Sequence, residues 1–258
     1  MGTEIVQSRY QVLSTPPNGI QGDPQEGLFA PTVDQRYRLG TKLWDARGRT
    51  WRYIKNAATQ LEVGLMAQCA APEAETIDEI QTGYTTAIGD TTIEALLTTS
   101  SELSDGELSD GWLVVNKATG LGYSYPIKWN VWTTGDTVMS LELYEAIRVA
   151  TSATSEFTFV KNKFSDCVVM PTTPTSIAAG IPNVVIPASY YGWVQTKGYC
   201  AAIVDTSETL VIGCAVGFPA ASAVAGAVGV FAATGPYFGT TVTIGVAAEA
   251  ATIDLALE

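Results

Sequence analysis

Short runs of alternating apolar and polar residues, each closed by a Gly-, Pro- or Thr-containing turn, recur along this chain, and no segment keeps the i, i+3, i+4, i+7 spacing of a helix. The clearest instance follows Gly111. Trp112-Leu113-Val114-Val115-Asn116 leads into a turn at Lys117-Ala118-Thr119-Gly120, and the return run places Tyr123, Tyr125, Ile127, Trp129 and Val131 on one face. After Thr133-Thr134-Gly135-Asp136, a third run from Thr137 to Leu143 turns Met139, Leu141 and Leu143 to the core side. Three such runs read as an antiparallel meander. The one stretch with helical character, Ser140 to Ala150, shares residues with the third run, so the chain is predicted to be mainly β.

Residues 10–40 lack this patterning. Pro16, Pro17, Pro24 and Pro31 with Gly19, Gly22 and Gly27 predict an extended arm that has no core of its own and orders on a neighbour. Alternation begins at Thr50-Trp51-Arg52-Tyr53-Ile54-Lys55, and a Pro-, Thr- and Gly-rich stretch from Met170 to Pro182 reads as a boundary. Beyond it, strands are expected at 192–196, 201–204, 227–231, 240–244 and 251–255. The predicted organisation is an extended N-terminal docking arm over 1–48, an antiparallel β domain over 49–175, and a small β-barrel or sandwich over 176–258.

The chain contains no histidine, the side chain most used for acid–base work near neutral pH, and this weighs against catalysis. There is no GxSxG and no GxxxxGK[ST], so no catalytic residue and no cofactor is predicted. Cys69, Cys167, Cys200 and Cys214 show no metal-ligand spacing and are expected to be small buried hydrophobes. Glu102-Leu103-Ser104-Asp105-Gly106 repeats at once as Glu107-Leu108-Ser109-Asp110-Gly111. The spacing of five departs from a calcium loop, and an exposed acidic turn is expected instead. Trp112, Trp129 and Trp132 are candidates for a sugar platform, although parity assigns Trp129 to the core face and leaves Trp132 exposed.

The net charge of −12 is unevenly spread: residues 1–55 hold eight basic and five acidic side chains, and the remainder six and 21. A basic leading segment on an acidic body points to docking on an acidic surface, with Arg36, Arg38, Arg47, Arg49 and Arg52 as the candidate contacts. The plainer alternative is a solvated cluster. Nucleic acid is not the expected partner, because such a body repels phosphates over most of its area. The uncharged stretch between Glu208 and Glu249 is broken by glycines, so buried strands and an oligomer contact are expected there rather than a membrane span. The first residues have neither a basic nor an apolar leader region, which predicts synthesis without an export signal.

Three segments together resemble head proteins of tailed bacteriophages, in particular capsid decoration (cement) proteins. They are Tyr37 to Gly64 through Asp45-Ala46-Arg47-Gly48-Arg49-Thr50-Trp51-Arg52-Tyr53, Gly111 to Lys128, and Tyr190-Tyr191-Gly192-Trp193-Val194-Gln195-Thr196-Lys197-Gly198 with the Ala/Val/Gly-rich end. The resemblance implies a protein made in the host bacterial cytoplasm that adds to the outer surface of an assembled capsid. There it would staple neighbouring major capsid protein subunits, as a homo-trimer, with no functional residue transferred one by one. Two other readings stand beside it: a head fibre or receptor-binding module recognising host glycans, and a histidine-free glycosidase or lyase working through carboxylates and tyrosines.

Overall fold

The computed structural model describes residues 19–21, 27–72, 76–97, 103–132, 137–233 and 235–258. Among these residues there is no α-helix, and the mainly antiparallel β fold expected from the alternation is present. In chain order the strands are β1 (Gly19–Gln21), β2 (Lys42–Trp44), β3 (Thr50–Lys55), β4 (Ala67–Gln68), β5 (Glu79–Ile80), β6 (Thr92–Leu96), β7 (Trp112–Lys117), β8 (Ser124–Trp132) and β9 (Val138–Leu143). They continue with β10 (Glu156–Val160), β11 (Val168–Val169), β12 (Ala178–Pro182), β13 (Tyr191–Ile203), β14 (Ala215–Gly217), β15 (Gly229–Val230), β16 (Tyr237–Thr241) and β17 (Ala250–Ala256).

The chain divides into two compact units at places other than those expected. Unit 1 combines Met1–Ala70 with Phe164–Glu258, and unit 2 is Ala71–Lys163. The expected boundary at 175/176 would separate β3 from β13, yet these strands pair antiparallel from Tyr191↔Lys55 to Lys197↔Thr50. Unit 2 therefore interrupts unit 1. It does so between β4 and β11, which are antiparallel neighbours with Gln68 opposite Val168.

Unit 1 is built on the strand path β1-β2-β3-β13-β17-β16-β14-β15, with β4, β11 and β12 joined to its side. The two strands expected at 192–196 and 201–204 are one strand, β13, whose first half pairs with β3 and second half with β17. Gly198 keeps it continuous. It sits at φ +82°, and a Cβ there would come 3.2 Å from the Arg49 Cα.

Residues 27–48, expected as part of a separate arm, are built into this unit. Leu28 and Leu43 pack with Trp51, Tyr53 and Trp193, and Thr32 bridges Tyr191. Tyr37 rests on Tyr53 and Trp193 at ring-centroid distances of 5.3 and 5.5 Å. A few large side chains at spaced positions thus supply the apolar contact that composition alone did not promise. The remainder of the expected arm, apart from β1, lies outside the described residues.

The uncharged 209–248 stretch contains short strands, and its Val216, Phe218, Val228 and Phe238 enter a core cluster with Ile253 and Leu255 of β17. Among the described residues, no helix is long and apolar enough to cross a membrane.

In unit 2 the sheet order is β5-β10-β7-β8-β9-β6. The meander read from the sequence is its centre, and Met139, Leu141 and Leu143 face the core as expected. The outer strands are brought together by one side chain. Gln81, which follows β5 and is fully buried, donates to the Leu96 carbonyl (3.0 Å) and accepts from the Leu96 N–H (2.7 Å), so its amide stands in for a backbone rung between β5 and β6. The inner face of the curled sheet packs around Leu113, Val115, Tyr125, Ile127, Phe157 and Phe159.

The parity expected along β8 fails at its middle. A bulge between Ile127 and Trp129 puts Lys128 and Trp129 outward in succession, so Trp129 is 47% exposed and Trp132 is 8% exposed, the reverse of the sequence reading. The acidic repeat lines the bulged half of β8. β7 leaves β8 at Pro126, and the repeat takes over its edge: Gly111 accepts from the Ile127 N–H, Gly106 donates to the Asn130 carbonyl, and Asp105 accepts from the Trp132 N–H. Leu103 and Leu108, one from each copy, are buried in the same core, so the repeat is an edge-covering element and more than an exposed turn.

Candidate docking surface

Of the five arginines expected to dock, the structure brings two to one groove. Arg47 and Arg49 stand on the β2–β3 turn, which faces Lys197, Gly198 and Tyr199 of β13 and Asp254 of β17 across a groove of about 610 Å³. The turn is tightly specified. Asp45 Oδ1 accepts the N–H groups of Arg47 and Arg49, both at 3.0 Å, and Gly48 closes the turn at φ +83°. The Arg49 guanidinium is then held by Asp45 Oδ2 (2.7 Å) over the Trp51 ring (4.8 Å), while Arg47 is exposed at the turn's tip. The pair is part-buried on the Asp45 side, and its effect is to aim the arginine.

The opposite wall is fixed from beneath by a buried polar chain. Trp51 Nε1 donates to Asn183 Oδ1 (2.8 Å), Asn183 Nδ2 to Gln195 Oε1 (3.3 Å), and Gln195 Nε2 to the carbonyls of Lys197, Gly198 and Tyr199. The bulge carbonyls point inward onto one amide, and the wall presents Lys197 and Tyr199, both exposed, the latter at 61%. Burial, with Asp254 nearby, pushes the neighbouring Cys200 thiol up to about 12, and its side chain packs into the core cluster of unit 1. Cys69 and Cys167 are likewise buried, and Cys214 is half-buried against Thr241.

The other three arginines have different settings. Arg52 pairs with the Glu258 side chain at 2.5 Å, donates to the Gly40 carbonyl at 2.8 Å, and shares Glu258 with Lys42 (2.9 Å). Burial raises the Glu258 pKa, but hydrogen bonds from Arg52, Lys42 and Thr196 outweigh it and hold the carboxyl at about 2. Arg52 is therefore a clamp within unit 1. Arg36 and Arg38 are exposed on the segment that Tyr37 pins, where the Arg36 N–H donates to the Tyr53 hydroxyl (3.1 Å). Lys197 and Tyr199 were missed. The signal available for them was Gly198 within a β-patterned run, since an isolated glycine there marks a bulge or a close backbone approach.

The repeat's carboxylates serve the fold: Glu107 accepts from the Ser104 N–H and pairs with Lys161, and Asp110 accepts from the Tyr144 hydroxyl. Among the described residues, no group of three or more acidic or cysteine side chains is placed to hold a metal ion. No family model matches this chain, and no curated protein or solved structure is significantly similar to it.

Proposed function

We propose that this chain is a virion structural protein that binds the outer surface of an assembled phage capsid and staples neighbouring major capsid protein subunits. The observation that carries the reading is the groove of Arg47, Arg49, Lys197 and Tyr199: a rigidly backed, cation-rimmed concavity with an exposed aromatic, on a chain that is otherwise strongly acidic. Such a site suits an acidic loop or chain end on a capsid subunit, with tyrosine supplying apolar contact and the cations steering approach. Self-association as a trimer has a candidate seat in the same unit. The Leu210↔Gly245 bridge sets Val211 beside Ile244, and Val211, Ile212, Ile244 and Val246 are each at least half exposed.

The test is co-sedimentation of the purified chain with assembled empty capsids over a salt series, comparing wild type with the Arg47→Glu, Lys197→Glu double variant. Occupancy should fall as salt shortens the Debye length below about 8 Å, and the variant should associate more slowly while unfolding at the same urea concentration. Occupancy unchanged in both comparisons would defeat the proposal. Sedimentation equilibrium of an Ile212→Asp, Ile244→Asp variant tests the trimer, which should dissociate to monomer.

A further inference from the structure

The outer face of the unit 2 sheet carries three large rings that the core does not use. Val160, Trp112, Pro126 and Tyr144 form one row across β10, β7, β8 and the end of β9: Val160 is registered with Trp112, Trp112 with Pro126, and the Tyr144 N–H donates to the Pro126 carbonyl (3.0 Å). Trp112 is 48% and Tyr144 47% exposed. Two strand spacings put their backbones roughly 10 Å apart, about the length of a disaccharide. Trp129, carried outward by the bulge, stands farther along β8.

These rings are held in place. The Tyr144 hydroxyl reaches across β8 to Asp110 Oδ1 (3.0 Å), so the ring lies along the sheet surface. Trp129 rests on Gly106, where a Cβ would come within 2.4 Å of the indole. Lys128 paired with Glu142 (2.5 Å), Ser140 and Glu94 lie between and beside them on the same face.

We propose that this face is a binding platform for pyranose glycans that carry no anionic groups. The C–H faces of sugars stack on fixed aromatic rings, and their hydroxyls meet the interleaved carboxylates and lysine. Charge selects within the class. Unit 2 has fourteen acidic and five basic side chains, a net −9 of the chain's −12, so uronate- or phosphate-bearing polymers are repelled, while neutral or amino sugars are accepted. A dry protein interface fits less well, because it would bury the Lys128–Glu142 pair and Glu94 among the rings. The proposal uses unit 2 alone and stands or falls separately from capsid docking through unit 1.

The whole chain is titrated with cellohexaose, N-acetylchitohexaose, the chitosan hexamer and hexagalacturonate, read by tryptophan fluorescence and calorimetry. At least one of the first three should bind, hexagalacturonate should not, and Trp112→Ala should weaken binding by about tenfold or more with Trp112→Phe retaining most of it. Urea unfolding of each variant separates lost binding from lost fold, and these half-exposed positions should leave the midpoint near wild type. The proposal is overturned if none of the three binds, if hexagalacturonate binds as tightly, or if a Trp112→Ala, Trp129→Ala variant binds unchanged. Loss of acrylamide quenching at Trp112 and Trp129 on capsid docking would assign the face to a protein instead.

Discussion

Asp205 is a buried carboxylate surrounded by donors: the N–H groups of Ser207, Ala223 and Val224, each at 2.9 Å, and the hydroxyls of Ser207 and Ser222. It ties the loop after β13 to the 221–224 turn. Burial alone would push its pKa up, but the hydrogen bonds outweigh it and hold the carboxyl at about 2. Because that value lies below the ordinary one near 3.9, the ionised form stabilises the fold fully above about pH 5, and the contribution fades as pH falls toward 2. A shift of this size corresponds to about 2–3 kcal/mol at neutral pH. Asp205→Asn replaces an acceptor of several bonds by a group that meets some of those donors with its own N–H. It should therefore lower stability at pH 7 by a similar amount and by much less at pH 2.5. Urea midpoints of both proteins at the two pH values check this, and an equal deficit at both would show that the charge is not what matters.

At the level of elements, the Gln81 side chain replaces what between paired strands is a run of backbone hydrogen bonds. Gln81→Met keeps the volume and removes the amide, leaving the Leu96 N–H and carbonyl without this partner beneath the surface. The cost should be about 2–4 kcal/mol, on the usual scale for stranded buried polar groups, and it should fall on unit 2. Hydrogen exchange is the direct measurement: the Leu96 amide should lose protection in the variant, whereas the Ile253 amide of unit 1 should not. The same element shows where sequence reading ends. β7, β8 and β9 were legible because period two survives in the chain, and β3 was legible from its β-branched and aromatic run. The bulge in β8 was not: it lies where the pairing with β7 has stopped at Trp112↔Pro126 and a separate segment takes over the edge, which one strand's pattern does not record. Of the docking surface, the arginines were visible as a charge cluster. Their sorting into groove, clamp and pinned segment depended on β13, Glu258 and Tyr37, far from them in sequence.

For the molecule as a whole, the insertion of unit 2 explains why composition boundaries did not mark the domains. The Pro- and Thr-rich stretch from Met170 to Pro182 contains β12 and lies inside unit 1, whereas the actual junctions at 70/71 and 163/164 carry no such signal. The geometry of the junctions makes the division testable. Ala67 pairs with Val169 and Gln68 with Val168, so the chain leaves and re-enters unit 1 on adjacent antiparallel strands, a spacing that a short turn spans. Replacing 71–163 by a four-residue Gly- and Asn-containing turn should yield a folded unit 1 that keeps the Arg47–Lys197 groove. The excised 71–163 segment, closed by Gln81 and with its own core cluster, should fold by itself. Three tryptophans fall in each unit, Trp44, Trp51 and Trp193 against Trp112, Trp129 and Trp132, so fluorescence follows both pieces separately. Each fragment should unfold in one cooperative step, capsid binding should remain with the first and glycan binding with the second. A unit 1 fragment that is soluble but lacks a cooperative transition would mean that the inserted unit is required for the surrounding sheet to form.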